Sequence, residues 1–138
     1  MYNEINLSFS SIKSNISVIR NMLGAMLVEY NPTLTFVNEL KTVVSEAVTK
    51  CIVHGYEWKY DMLVDMKIVL DANQIAIDII DYGIGIEDIK KAKEPLFSTK
   101  HDEERSGLGF TIMELFCDKL IVESKLNEGT KIHLEKNW

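Results

Sequence analysis

A chain of 138 residues, 46% apolar and 26% charged, is long enough to bury one core and too apolar to stay disordered. Its net charge of −6, with no basic run, argues against nonspecific nucleic-acid binding, so an anionic ligand has to be met by local cations and backbone amides. No apolar run reaches the ~18 residues of a membrane span, and no basic-then-apolar leader opens the chain, so one cytoplasmic domain over residues 1–138 is expected, without membrane contact. Cys51 and Cys117 fall in apolar helical patterns and read as reduced core thiols.

Along the chain, Ile5, Leu7 and Phe9 alternate with polar residues, which predicts a half-buried strand. Ser14 and Asn15 are suitable caps for a helix carrying Ile19, Met22, Leu23, Met26, Leu27 and Tyr30, which Asn31-Pro32 stops. A second helix presents Leu40, Val43, Val44, Ala47, Val48 and Cys51 on one face and ends near His54-Gly55. Met62 to Asp71 and Gln74 to Asp81 read as an antiparallel hairpin joined at Ala72-Asn73. Tyr82 to Ser106 then reads as a long connection with a short helix between Glu87 and Lys93, and such connections are usually functional. Leu108 to Phe116 is helical, and Leu120 to Lys125 pairs with Thr130 to Glu135 around Asn127-Glu128-Gly129. Hairpin strands beside helices predict a two-layer α/β (α+β) sandwich.

Three short patterns carry chemistry. Asp81-x-Gly83-x-Gly85 ends a strand: the carboxylate is able to accept from the exocyclic amine of a base, and glycines let a flat ring come close, although Asp and Gly are equally at home in a plain turn. Ser106-Gly107-Leu108-Gly109 opens a helix, where free amides favour an anion, or where Ser106 simply caps a flexible entry. Glu46 and Lys50 share a helical face, and on spacing alone they are an ordinary surface ion pair. His54 reads as a C-terminal cap and His101 as solvated, and no His/Cys cluster has zinc spacing.

In this order the segments resemble the GHKL ATPase superfamily. Nearly end to end, the chain is similar to bacterial sporulation anti-sigma factors that double as serine kinases. The resemblance rests on Leu40 to Thr49, Ile52 to Tyr56, Pro95 to Lys100 and Glu104 to Glu114. It implies the GHKL-type (Bergerat) fold, a mostly antiparallel mixed sheet with helices on one face. It also implies a homodimer that binds ATP or ADP, holds a sigma factor inactive, and phosphorylates a serine of an anti-anti-sigma competitor. On this resemblance Asp81 reads the adenine amine with help from Thr130, while Gly83 and Gly85 admit the base. Ser106, Gly107, Leu108 and Gly109 hold phosphates, and Thr99 lies in the lid that runs from Pro95 to Arg105. Arg105 senses the terminal phosphate, Glu46 takes the proton of the attacking serine, and Arg20 marks a partner surface.

One position departs from the family pattern. The residue four after the helix glutamate is normally an asparagine whose carbonyl binds Mg²⁺, and here it is Lys50. A protonated lysine has three donors and no lone pair, so it does not ligate a hard cation. It is able instead to meet phosphates as a point charge, or to pair with Glu46 and weaken that base. Either outcome implies slower phosphoryl transfer, by roughly a hundredfold or more, with nucleotide binding retained.

Overall fold

A computed structural model describes residues 2–94 and 109–138. The strands are β1 (Asn3–Ser10), β2 (Leu63–Leu70), β3 (Gln74–Asp81), β4 (Lys119–Lys125) and β5 (Gly129–Asn137), and the helices are α1 (Asn15–Met26), α2 (Leu34–Lys50), α3 (Ile89–Ala92) and α4 (Gly109–Phe116). The strands form one five-stranded sheet in the order β1-β2-β3-β5-β4. The expected α+β fold with a mostly antiparallel sheet is found, and only its mixed character is corrected, because every neighbouring pair among the described residues is antiparallel. β3 and β4 do run the same way, but β4 turns back through a tight hairpin and β5 inserts between them, so no parallel pair forms.

Period-two patterning decides which face is covered. Ile75, Ile77, Ile79 and then Asp81 are the buried positions of β3, and Ile132 and Leu134 are buried on β5. The apolar ones among these meet Leu40, Val43, Val44, Ala47 and Val48 of α2 in the core. β1 is half-buried, as its alternation requires.

Local chemistry differs from the sequence expectation at several points. Ser14 precedes α1 but its side chain makes no cap bond; Asn15, inside the helix, donates from Nδ2 to the Ser10 carbonyl at 2.8 Å. Thr33 caps α2 instead, accepting from the Phe36 amide at 3.1 Å. The second helix does not run as α-helix to His54-Gly55. It ends at Lys50 and continues as a π-helical turn, Cys51–Gly55, closed by the Tyr56 amide on the Cys51 carbonyl at 2.8 Å. The β2–β3 turn is organised by Asp71, whose Oδ1 accepts from the amides of Asn73 (2.8 Å) and Gln74 (3.0 Å). Trp138 anchors the C-terminus: it stacks on Tyr30 at 5.0 Å, lies 5.1 Å from the Phe36 ring, and donates from Nε1 to the Asp71 carbonyl at 2.7 Å.

Candidate nucleotide-binding site

Register brings the site together. Asp81 on β3 faces Thr130 on β5, and Thr130 faces Ser124 on β4, so the three form a row across the sheet on its helix-covered side. Asp81 is 3% exposed. Its Oδ1 accepts from the Gly83 amide at 2.9 Å, and its carboxylate also takes hydrogen bonds from the Cys51 thiol and the Thr130 backbone. Burial raises the Asp81 pKa, and these three bonds, which favour the charged form, oppose that rise. Burial first, and the neighbouring carboxylate second, push the Cys51 thiol well up, so it stays protonated and serves as a donor.

Asp81 forms part of the wall of a cleft of about 780 Å³, a size that suits a nucleotide. Lys50, His54, Gly85, Phe110 and Thr130 also line it. Lys50 lies on the α2 wall with its ammonium 4.6 Å from the centre of the Phe110 ring. A Cβ on Gly109 would stand 2.7 Å from Lys50 Cε and 3.0 Å from Glu46 Oε2, so the start of α4 presses on both residues. The surface-pair reading of Glu46 and Lys50 is thereby corrected: both are half-buried where α4 crosses α2.

The glycines have a backbone role beside the one expected from the resemblance. A Cβ on Gly83 would meet the Gly55 carbonyl oxygen at 1.9 Å, and one on Gly85, at φ +76°, the Lys125 carbonyl oxygen at 2.2 Å. Glycine is required at both positions by the protein's own backbone, whatever ligand comes near. Thus Glu46, Lys50, Asp81, Gly83, Gly85, Gly109 and Thr130 gather around one region, whereas Arg20 lies exposed on α1 and is not among the residues lining the cleft. Thr99, Arg105, Ser106, Gly107 and Leu108 lie outside the described residues. Sequence reasoning missed Cys51 as a neighbour of Asp81, together with Gly55, Phe110 and Ser124; the Ile52 to Tyr56 stretch contained Gly55, but nothing in the pattern singled out Ser124.

Residues 9–136 match the model of the histidine kinase-like ATPase domain. The chain belongs to that family. Curated relatives are an anti-sigma F factor of Geobacillus kaustophilus, 44% identical over 99% of this chain and 94% of its own length, and one of Thermoanaerobacter pseudethanolicus, 45% identical over 97% and 93%. One from Clostridium botulinum is 42% identical over 99% and 95%. The crystal structure of the RsbU and RsbW domains of a Mycobacterium tuberculosis protein shares the fold with a TM-score of 0.70 at 14% identity, covering 97% of this chain and 32% of that one. The chain is therefore a GHKL-type ATPase domain of the anti-sigma F factor kind.

Asp81 and Thr130, both lining the cleft, carry oxygen atoms able to accept from an amino-substituted base. No group of three or more His, Cys, Asp or Glu among the described residues is arranged to hold a metal ion. Lys50 offers no lone pair where the family's Mg²⁺ ligand is expected, so that position does not fit the ion. Among the described residues no helix is long and apolar enough to cross a membrane.

Proposed function

We propose that this protein is an anti-sigma factor that binds ATP or ADP in the cleft, holds a sporulation sigma factor inactive as a homodimer, and phosphorylates a serine of an anti-anti-sigma antagonist with ATP. The observation that carries the reading is the buried Asp81 carboxylate at a nucleotide-sized cleft that Lys50 also lines. In a family named for its ATPase domain, a cleft lined by both a buried acceptor and a cation suits a base and its phosphate tail. In this reading Glu46, half-buried beside Gly109, accepts the proton of an attacking serine hydroxyl. Lys50 meets the phosphates as a point charge. Arg105 and the segment from Ser106 to Gly109 complete phosphate binding in this reading, and Arg20, exposed on α1, belongs to the partner surface.

A second reading is favoured by Lys50 itself: a nucleotide-binding anti-sigma module with impaired kinase activity. Lys50 lies four residues from Glu46 on one helical face and offers Mg²⁺ no lone pair at the position of the family's usual ligand. One assay separates the two readings. The protein and its Lys50→Asn variant are each incubated with labelled ATP, Mg²⁺ and the anti-anti-sigma partner. Comparable label transfer by both supports the kinase. Transfer by the asparagine variant alone supports the impaired module. Failure of both proteins to retain nucleotide overturns both readings.

A further inference from the structure

Ser124 lies outside every motif read from the sequence, yet its hydroxyl has three polar neighbours. The Ile86 amide lies 2.7 Å from Oγ, the Gly129 carbonyl oxygen 3.0 Å, and Thr130 Oγ1 2.7 Å. A serine hydroxyl has one hydrogen and two lone pairs. The Ile86 amide only donates, so it takes one lone pair. The Gly129 carbonyl only accepts, so it takes the single hydrogen. The second lone pair is left for Thr130, which therefore has to be the donor in that contact. One arrangement satisfies all three bonds, and it commits the hydroxyl hydrogen of Thr130 to Ser124.

The consequence reaches the cleft. Thr130 is 7% exposed, lines the cleft, and stands opposite Asp81 in register. With its hydrogen turned toward Ser124, it offers a ligand lone pairs only. The ionised Asp81 carboxylate is likewise an acceptor, and its Gly83 and Cys51 partners are donors turned toward the carboxylate. Asp81 and Thr130 thus both turn acceptors to the cleft. The pair suits an exocyclic amine and opposes a ring carbonyl, whose oxygen would face two acceptors.

We infer that Ser124 is a positioning residue that sets base selectivity by fixing the Thr130 hydroxyl as an acceptor, so that the cleft prefers a 6-aminopurine to a 6-oxopurine. This rests on the nucleotide reading above. Without Ser124 the Thr130 hydroxyl is free to turn and donate to a carbonyl, and the preference falls.

The test compares the affinities of ATP and inosine triphosphate, which carries oxygen in place of the amine, for the wild type, Ser124→Ala, Thr130→Val and the double variant. Wild type should favour ATP, and Ser124→Ala should lower the ATP-to-ITP affinity ratio by about tenfold, the effect of one unmatched buried hydrogen bond. Thr130→Val should lower the ratio similarly, and adding Ser124→Ala to it should change the ratio no further. If Ser124→Ala weakens both nucleotides by one factor, Ser124 is a structural strut and the inference is overturned while the nucleotide reading stands. If Ser124→Ala does not fold, Thr130→Val decides: an unchanged ratio overturns the inference. If wild type binds neither nucleotide, the inference and the nucleotide reading are overturned together.

Discussion

Gly55 and Asp81 are in direct contact: a methyl group on Gly55 would stand 2.7 Å from the carboxyl carbon and from both carboxylate oxygens of Asp81. The contact exists because the chain leaves α2 through the π-helical turn, which sets Gly55 against the end of β3. The side chain proposed to read the base is therefore held in place by a residue with no side chain.

Gly55→Ala should accordingly disturb the site more than the fold. The added methyl forces the buried carboxylate or the turn to shift, an overpacking that costs about 1–3 kcal/mol. Because the carboxylate has to move, adenine-nucleotide affinity should fall by about tenfold or more. Parallel nucleotide titration and thermal melting check this; a lower melting temperature with unchanged affinity would show that Asp81 does not contact the ligand.

Gly24 and Gly83 should respond to alanine in opposite directions. Gly24 lies in α1, where a Cβ would meet only the end of the Lys41 side chain at 3.1 Å, and that side chain is free to swing away. Alanine there gains helix propensity, so Gly24→Ala should stabilise the protein by about 0.5–1 kcal/mol. At Gly83 the Cβ would sit 1.9 Å from the Gly55 carbonyl oxygen, a backbone atom already bonded to the Ile84 amide at 3.0 Å. Gly83→Ala should cost about 3 kcal/mol or more, because two chain segments have to separate. Urea unfolding of both variants reads the signs directly.

The difference between these two glycines also shows how far the sequence is legible. Hairpins, helical faces and the buried rows of β3 and β5 follow from periodicity, and periodicity is a local property. The insertion of β5 between β3 and β4 and the contact of Gly55 with Asp81 are decided by tertiary packing, so local pattern does not show them. Asp81-x-Gly83-x-Gly85 is visible as a motif, but its glycines read equally well as a turn or as room for a ligand. Only the packing shows that the Gly55 and Lys125 carbonyls occupy the space a side chain would take there. Ser124 is invisible because a serine on a strand carries no signal until its three partners are assembled around it.

On the open face of the sheet His133 lies between two carboxylates, with Nδ1 2.6 Å from Asp78 and Nε2 2.7 Å from Glu135. Burial alone would lower its pKa, but the bonds to Glu135 and Asp78 outweigh burial and raise it above 6.5. The folded state therefore holds the imidazolium proton more tightly than the unfolded chain does. That stabilisation is complete below about pH 6.5 and is lost as pH rises through the raised value. The histidine in turn lowers the pKa of Glu135, so that carboxylate's share is present above about pH 4.5 and is lost as pH falls through the lowered value. Comparing the melting temperatures of wild type and His133→Gln from pH 5 to pH 9 should give the largest gap near pH 5–6, closing toward pH 9. A gap that widens with pH would contradict the charged pairing.

Asp81→Asn tests the base-reading role without a change of shape. The amide oxygen of the introduced asparagine is still able to accept from the Gly83 amide, the bond that Asp81 Oδ1 makes at 2.9 Å, so the turn after β3 keeps its anchor. Burial raises the Asp81 pKa, so the ionised carboxylate is a cost to folding at neutral pH, relieved as pH falls through the raised value. Asparagine removes that cost and takes the carboxylate from the Cys51 thiol, so stability near pH 7 should change little. The cleft, however, now presents an amide donor where an acceptor stood, and a donor facing an exocyclic amine leaves both unmatched. Adenine-nucleotide affinity should fall by about tenfold or more, while inorganic triphosphate, which has no base, should bind within about twofold of wild type. Competition titration of both ligands on the folded variant measures the two losses side by side. Equal losses would mean that Asp81 acts through the phosphates or the fold and does not read the base.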